Sequence, residues 1–265
     1  MGGLQYNQSA YGRAVCGSSE FQKINNLQMN KATLQEIETR FDNDVERFSN
    51  LETGQATTLD AVWNMELITD AIASVYPNAK NILDIGCGAG NYDVKLLQKL
   101  KSNPNFSLVD LSQPMLNRAQ ERVSALTKGE IQLIKGDFRE VSLEEEKFDV
   151  IIATSVLHHL RDDEDWLSTF KKLFRLLQSG GSVWIFDLIE QNNVHLQKLI
   201  YKEKYGEYLT KLKDEEYRDH VFDYIEHEDT PRSLVYQLNL LTDVGFNNVD
   251  VLHKNLCFAS YVAFK

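Results

Sequence analysis

Ile82-Leu83-Asp84-Ile85-Gly86-Cys87-Gly88-Ala89-Gly90-Asn91-Tyr92 is the stretch on which the reading of this chain turns. An apolar run carrying one acid ends in three glycines at alternate positions, and a helical pattern, Val94 to Leu100, follows at once. The pattern predicts a buried strand that stops in a tight turn. A ligand can approach the backbone of such a turn closely, because glycine has no Cβ in the way.

Downstream, short apolar runs alternate with helical patterns. Strands are predicted at Asn81–Ile85, Phe106–Asp110, Ile131–Lys135, Phe148–Thr154 and Ser182–Leu188. Ser112 can cap a helix that buries Met115, Ala119, Val123 and Leu126, with Pro114 in its first turn. A second stripe, Trp166, Phe170, Leu173 and Leu177, is expected to close at Ser179-Gly180-Gly181. Strands this apolar, separated by helices, predict a parallel sheet covered on both faces. After a helix opened by Thr230-Pro231 and closed by Gly245, Val249–His253 and Cys257–Phe264 follow too closely for a crossover helix and must be antiparallel. The expected architecture is therefore α/β, a mostly parallel sheet ending in an antiparallel hairpin.

Upstream, residues 1–28 are polar and without period, and they are expected to form a loosely held leader that extends the working fold. Residues 29–80 read as a helical cap. Leu34, Ile37, Phe41, Val45 and Phe48 give one amphipathic helix, and a second, starting near Thr57 or Thr58, is expected to bury Val62, Met65, Ile68, Ile72 and Val75. Both are core-packing helices that can also lie across a ligand mouth. The main domain is expected over 81–265, with an insertion at 189–229.

Composition narrows the partners. At 265 residues and 43% hydrophobic, the chain can bury a large core. Its longest apolar stretches fall far short of the ~20 residues that span a bilayer, so a membrane is not an expected partner. A net charge of -11 argues against broad binding to phosphate backbones, which makes nucleic acid an unlikely one. Cys16, Cys87 and Cys257 form neither a metal spacing nor a disulfide framework, which suits a reducing, cytoplasmic setting. A small molecule is the expected substrate; the sequence leaves the oligomeric state open, a homodimer among the options.

In an open α/β sheet, ligands sit at the carboxyl ends of the strands. Those ends carry Asp84 to Gly90, Asp110, Asp137-Phe138 and Thr154-Ser155. Asp110 can accept hydrogen bonds from vicinal ribose hydroxyls, which implies an adenosine-type cofactor, and a dinucleotide would present the same feature. Two observations argue against the dinucleotide and so against a nicotinamide-dependent oxidoreductase. The glycines run G-x-G-x-G rather than G-x-G-x-x-G, and Asp84 would face a pyrophosphate unfavourably while suiting a cationic ligand.

Leu83 to Gly90, Val109-Asp110-Leu111-Ser112, Gly136-Asp137-Phe138, Phe148-Asp149-Val150-Ile151 and Gly180-Gly181, in this order, resemble the class I S-adenosylmethionine-dependent methyltransferases over about residues 57–265. The resemblance implies a Rossmann-like, seven-stranded sheet and S-adenosylmethionine as cofactor. It further implies that Asp84 suits the cofactor's ammonium, that the turn Gly86, Cys87, Gly88, Gly90 meets its methionine part, and that Asp110 holds the ribose. Leu111 and Met115 would pack on the adenine, Asp137 would accept from its amino group, Phe138 would flank it, and backbone near Thr154 would meet the amino group of the methionine. The implied reaction is in-line methyl transfer to a small acceptor, for which a general base is optional.

The weaker candidates concern the acceptor. His159, in the pair His158-His159 after the fourth strand, is a candidate base, and no third residue near it completes a metal site, so no metal is expected. In the insertion, Tyr201 and Tyr205 are candidate substrate contacts within a tyrosine-rich lid. The chain's ending also resembles the tail of carboxy-S-adenosylmethionine synthases and of related small-molecule methyltransferases, so a carboxy-S-adenosylmethionine synthase-like or tRNA-modification enzyme is the alternative within enzymology. That alternative requires a lid arginine, for which Arg218 is the nearest match. A non-catalytic, cofactor-binding scaffold is the alternative outside enzymology.

Overall fold

The computed structural model describes residues 31–50 and 52–265. The expected leader, 1–28, lies outside the described residues.

Seven strands form one sheet in the order β3-β2-β1-β4-β5-β7-β6. They are β1 (Asn81–Ile85), β2 (Asn105–Asp110), β3 (Ile131–Lys135), β4 (Phe148–Thr154), β5 (Leu177–Leu188), β6 (Asn248–Asn255) and β7 (Phe258–Phe264). β1 to β5 pair in parallel, and β7 runs antiparallel between β5 and β6. The order reverses at β1, which pairs with β2 on one side and β4 on the other. The carboxyl ends there form the crevice in which an open α/β sheet holds its ligand.

The period-2 alternation of the strands fills two cores at once. Ile82, Val150, Ile152, Trp184 and Phe186 face one side, packed against Ile68, Ile72, Leu96 and Leu116 from helices. Leu83, Ile85, Ile151, Val183 and Ile185 face the other, against Trp166, Phe170, Leu173 and Leu241. All of these side chains are buried. The helices that supply them are α3 (Ala61–Val75), α4 (Asn91–Leu97), α5 (Gln113–Ser124), α6 (Asp163–Leu176) and α10 (Leu234–Val244). Ser112 caps α5 by accepting from Met115 N at 3.3 Å, with Pro114 in the first turn.

Three expectations are corrected. The first helix is two: α1 (Leu34–Asp42), closed into a capping box by Thr33 and Glu36, and α2 (Val45–Phe48), separated by Asn43 and Asp44. The next helix starts at Ala61 after Asp60 at φ 59°, and it buries Asn64 and Thr69 while Val62 and Val75 stay exposed. Its buried face is rotated because these polar groups are satisfied inside: Ser260 Oγ donates to Asn64 Oδ1 at 2.7 Å and Thr69 Oγ1 to Met65 O at 2.6 Å. Finally, α6 ends at Leu176, and Ser179-Gly180-Gly181 lies within β5. The register of β5 on β4 shifts there, between Phe148 and Val150, and a Cβ on Gly181 would stand 2.8 Å from Phe148 O.

The stretch 189–229 is helical: α7 (Val194–Gln197), a wider π turn over Lys198–Tyr205, α8 (Gly206–Leu212) and α9 (Glu215–Glu228). Tyr205 and Tyr208 donate to Thr57 O (2.9 Å) and Ala56 O (2.7 Å), while Ala32 N donates to His227 O (3.0 Å). The insertion and the amino-terminal helices therefore meet above the strand ends.

Candidate active site

The turn after β1 has Gly86, Gly88 and Gly90 at φ 67°, 50° and 73°, a region that disfavours any side chain with a Cβ. Each position has a separate reason for glycine. A Cβ on Gly86 would stand 2.7 Å from Val156 Cγ2, and one on Gly90 would press Ala119 of α5 at 3.2 Å. A Cβ on Gly88 would have nothing within 4 Å and would project into open space. Gly86 N and Cys87 N both donate to Val109 O, at 2.8 and 3.1 Å, which ties the turn to β2.

Asp110, at the end of β2, braces the same turn. Its Oδ2 accepts from Gly88 N and its Oδ1 from Ser112 N, both at 2.8 Å. Burial raises its pKa to about 6 in spite of these bonds. Behind the turn, Asp84 and Asp93 are fully buried together. Burial raises Asp93 to about 7, and burial with the neighbouring Asp93 pushes Asp84 well above the carboxylate range. Asp84 and Asp93 face one another and share a hydrogen bond, which needs a proton on one of them, and no other side chain donates to Asp84 Oδ1 or to the Asp93 oxygens among the described residues. Buried acids beneath a glycine turn favour a cation and oppose a phosphate.

A cavity of about 470 Å³ opens over this turn. Gly86, Cys87, Gly88, Asp110, Leu111, Met115 and Thr154 line one end of it. A narrower slot of about 80 Å³ shares Gly86, Asp110, Leu111 and His159 with it and runs between Asp137, Phe138 and Leu160. Its outer wall is Leu34 and Ile37 of α1, which sequence reading had left among core-packing residues. Asp137 is gripped by Arg139, whose Nη2 and backbone N donate at 2.5 and 2.9 Å; burial raises its pKa, but these bonds outweigh burial and hold it below the usual range. Asp84 and Gly90 do not reach the lining: Asp84 lies behind the wall, and Gly90 packs on α5.

The other end of the large cavity is aromatic. Phe41 and Phe48 from α1 and α2, Tyr205, Tyr217 and Tyr224 from the insertion, and Phe258 from β7 line it, with Arg40 and Arg47 stacked on Phe41 and Phe48. Tyr205 thus reaches the wall. Tyr201 packs behind it against Tyr205 and Phe222, and Arg218 pairs with Asp219, so neither lines the cavity.

Between the two ends stand His158, His159 and Asp229, all on the wall. His158 Nδ1 contacts Asp187 Oδ1, and its Nε2 lies 3.7 Å from Asp229 Oδ1. His159 Nδ1 lies 3.1 Å from the same oxygen. Burial works against charge on His158, but the Asp187 and Asp229 carboxylates outweigh it and raise the imidazole to about 9. Burial likewise works to raise Asp229, and the two histidines hold it below the usual range. No local sequence signal links Asp229 to the histidine pair seventy residues before it; only the returning insertion makes the third member of the group.

The chain is similar to the class I S-adenosylmethionine-dependent methyltransferases. Residues 82–181 match the family described as methyltransferase domain, the segment that carries the glycine turn, Asp110 and β4. Among relatives, YqeM of Bacillus subtilis, a candidate methyltransferase by its name, is 33% identical over 45% of this chain and 47% of its own length. Demethylmenaquinone methyltransferase of Staphylococcus epidermidis is 26% identical over 65% of this chain and 68% of its own. The chain thus spans about half of the first of these relatives and two thirds of the second. Human N-acetylserotonin methyltransferase, solved with S-adenosylmethionine, shares the fold with a TM-score of 0.57 at 16% identity, over 92% of this chain and 66% of that one. Among the described residues no helix is long and apolar enough to cross a membrane.

Proposed function

We propose that this protein transfers a methyl group from S-adenosylmethionine to a small, largely apolar acceptor. The observation that carries the reading is adjacency: the slot shares Gly86, Asp110, Leu111 and His159 with the larger cavity, which runs from the glycine turn to an aromatic chamber walled by the amino-terminal helices and the insertion. The residues fit the cofactor. Buried acids sit under a turn whose middle glycine leaves open space, and a carboxylate stands at the β2 end.

When bound, S-adenosylmethionine supplies a methyl group activated by the sulfonium charge, the sulfur keeping the bonding pair as the acceptor's lone pair forms the new bond. The chain's own work is positioning. Asp110 holds the ribose diol, Leu111 and Phe138 flank the base with Asp137 beyond it, and Gly86, Cys87 and Gly88 accommodate the methionine part. Met115 and Thr154 complete that wall. Asp84 stands behind it, and Gly90 lets α5 pack close. Tyr205, Tyr217 and Tyr224 orient the acceptor in line and exclude water, in the way lids raise effective molarity, and His159 meets the acceptor rather than the cofactor. The name of the Staphylococcus relatives directs the first acceptors to try toward quinol-like aromatics. A cytoplasmic setting belongs to the same reading, supported by the free, buried thiols of Cys87 and Cys257.

The carboxy-S-adenosylmethionine alternative lacks its expected anchor, since Arg218 pairs with Asp219 away from the cavity. The test is turnover: purified chain, S-adenosylmethionine and a panel of quinol, phenol and amine acceptors, with S-adenosylhomocysteine release as readout. Release that depends on one acceptor class is expected. Tight cofactor binding with no release from any class would favour the scaffold reading.

A further inference from the structure

We propose that His158, His159 and Asp229 form a binding site for a divalent transition metal on the cavity wall, an inference that rests on the methyl-transfer reading for its purpose. The three donors, His158 Nε2, His159 Nδ1 and Asp229 Oδ1, all lie within 4.8 Å of one another. Asp229 Oδ1 is 3.1 Å from His159 Nδ1 and 3.7 Å from His158 Nε2. An ion about 2.1 Å from each donor separates neighbouring donors by roughly 3.0 Å at octahedral and 3.4 Å at tetrahedral angles. The His159–Asp229 spacing falls inside that range and the His158–Asp229 spacing lies 0.3 Å beyond it, a gap that a small side-chain movement closes.

The surroundings are those of a ligand set rather than of a chance pair. His158 Nδ1 is taken by Asp187, a carboxylate that is itself 1% exposed, so Nδ1 keeps its proton and a metal ion displaces the other proton from Nε2 to bind there. A carboxylate behind a histidine in this way orients the ring and raises its basicity as a ligand. Asp187 is immobilised in turn by Leu157 N and Leu188 N, each donating at 2.7 Å. Asp229 is fixed from the other side: Thr230 N donates to His158 O and Thr230 Oγ1 to Leu160 O, both at 2.7 Å. Two elements far apart in sequence are thus clamped with their donor atoms facing one another, and the cost of assembling the site is met in folding.

Two imidazoles and one carboxylate suit Zn²⁺, Fe²⁺, Mn²⁺ or Co²⁺ better than Mg²⁺ or Ca²⁺, which take oxygen ligands. Because all three residues line the cavity, an ion there keeps open positions toward the chamber. The ligand those positions take is an oxygen of the acceptor, a phenol, enol or quinol hydroxyl. Bound to the metal it loses its proton to solvent and presents an anionic lone pair to the methyl group.

The experiment uses the full, tag-free chain dialysed against chelator and titrated with Co²⁺, read by its visible absorption bands and by calorimetric competition with Zn²⁺. One saturable site per chain is expected. His159→Gln and Asp229→Asn should weaken it at least tenfold, and Asp187→Asn by roughly 10- to 100-fold. Circular dichroism checks folding, and should Asp229→Asn fail to fold, His159→Gln decides. Absence of a saturable site, or equal affinity in the parent and His159→Gln, overturns the proposal. S-adenosylhomocysteine binding, measured separately without metal, tells the two ideas apart: a chain that binds it but not Co²⁺ refutes the metal site alone, and the converse refutes the parent reading.

Discussion

At the turn after β1, Gly86 and Gly88 look equivalent in sequence and differ in what surrounds them. Gly86→Ala adds left-handed strain and drives a Cβ into Val156, so a stability loss of about 1–3 kcal/mol is expected by denaturant unfolding. Gly88→Ala carries the strain alone, since no atom lies within 4 Å of its Cβ. It should fold, and isothermal calorimetry should find its affinity for S-adenosylhomocysteine reduced at least tenfold, because the new methyl projects where the ligand goes. Equal affinity in Gly88→Ala and parent would place the ligand elsewhere. The acids give a pH signature. Asp110 at about 6 and Asp93 at about 7 lie above their ordinary 3.8, so the folded chain binds more protons than the unfolded chain between these limits. With the sign of linkage, stability of the cofactor-free protein falls as pH rises from about 4 to 7. A cationic ligand favours the ionised acids, so its binding should release protons near pH 6 and weaken as pH drops below Asp110's pKa. Calorimetry in two buffers of different ionisation enthalpy measures that release.

Among the elements, β1, β2, β4 and the later part of β5 were legible because each is a largely apolar run buried on both faces, a pattern that needs no knowledge of its neighbours. The helices over the mouth were not. Asn43 and Asp44 break a stripe whose periodicity reads straight through them, and the buried face of α3 includes Asn64 and Thr69, polar residues made tolerable by partners that the local sequence does not name. The insertion was visible as a tyrosine-rich stretch, yet which tyrosine reaches the cavity depends on the π turn over Lys198–Tyr205, so Tyr205 lines it and Tyr201 does not. Asp229 belongs to the same class of facts. This element is stapled to the first helix by Arg40, which donates to Glu228 from Nε at 2.8 Å and Nη2 at 2.5 Å. Glu228 is only 6% exposed, so Arg40→Ala leaves a buried carboxylate without its partner and should cost about 2–4 kcal/mol. For a chain of this size that corresponds to a melting temperature lower by roughly 5–15 °C. A melt within one degree of the parent would show that the staple carries no load.

For the molecule as a whole, one sheet order explains why the site lies where it does. The reversal at β1 opens a crevice at the strand ends, and the antiparallel insertion of β7 brings Phe258 to the same crevice. Helices from before the first strand and from between β5 and β6 then roof it. Under the proposed function, the acidity of the turn's underside and the aromatic chamber beyond it select what enters: a cationic, phosphate-free nucleoside at one end and an apolar acceptor at the other. The motifs at Asp84 to Gly90 and at Asp110 made the first of these readable from sequence, because they are short and contiguous; the chamber was not, being assembled from segments more than two hundred residues apart. Calorimetric titration of the purified chain with S-adenosylhomocysteine, and in parallel with NAD, measures the central claim directly. Saturable one-to-one binding of S-adenosylhomocysteine and no heat from NAD is the predicted result; binding of the pyrophosphate-bridged ligand with none of the thioether nucleoside would contradict it.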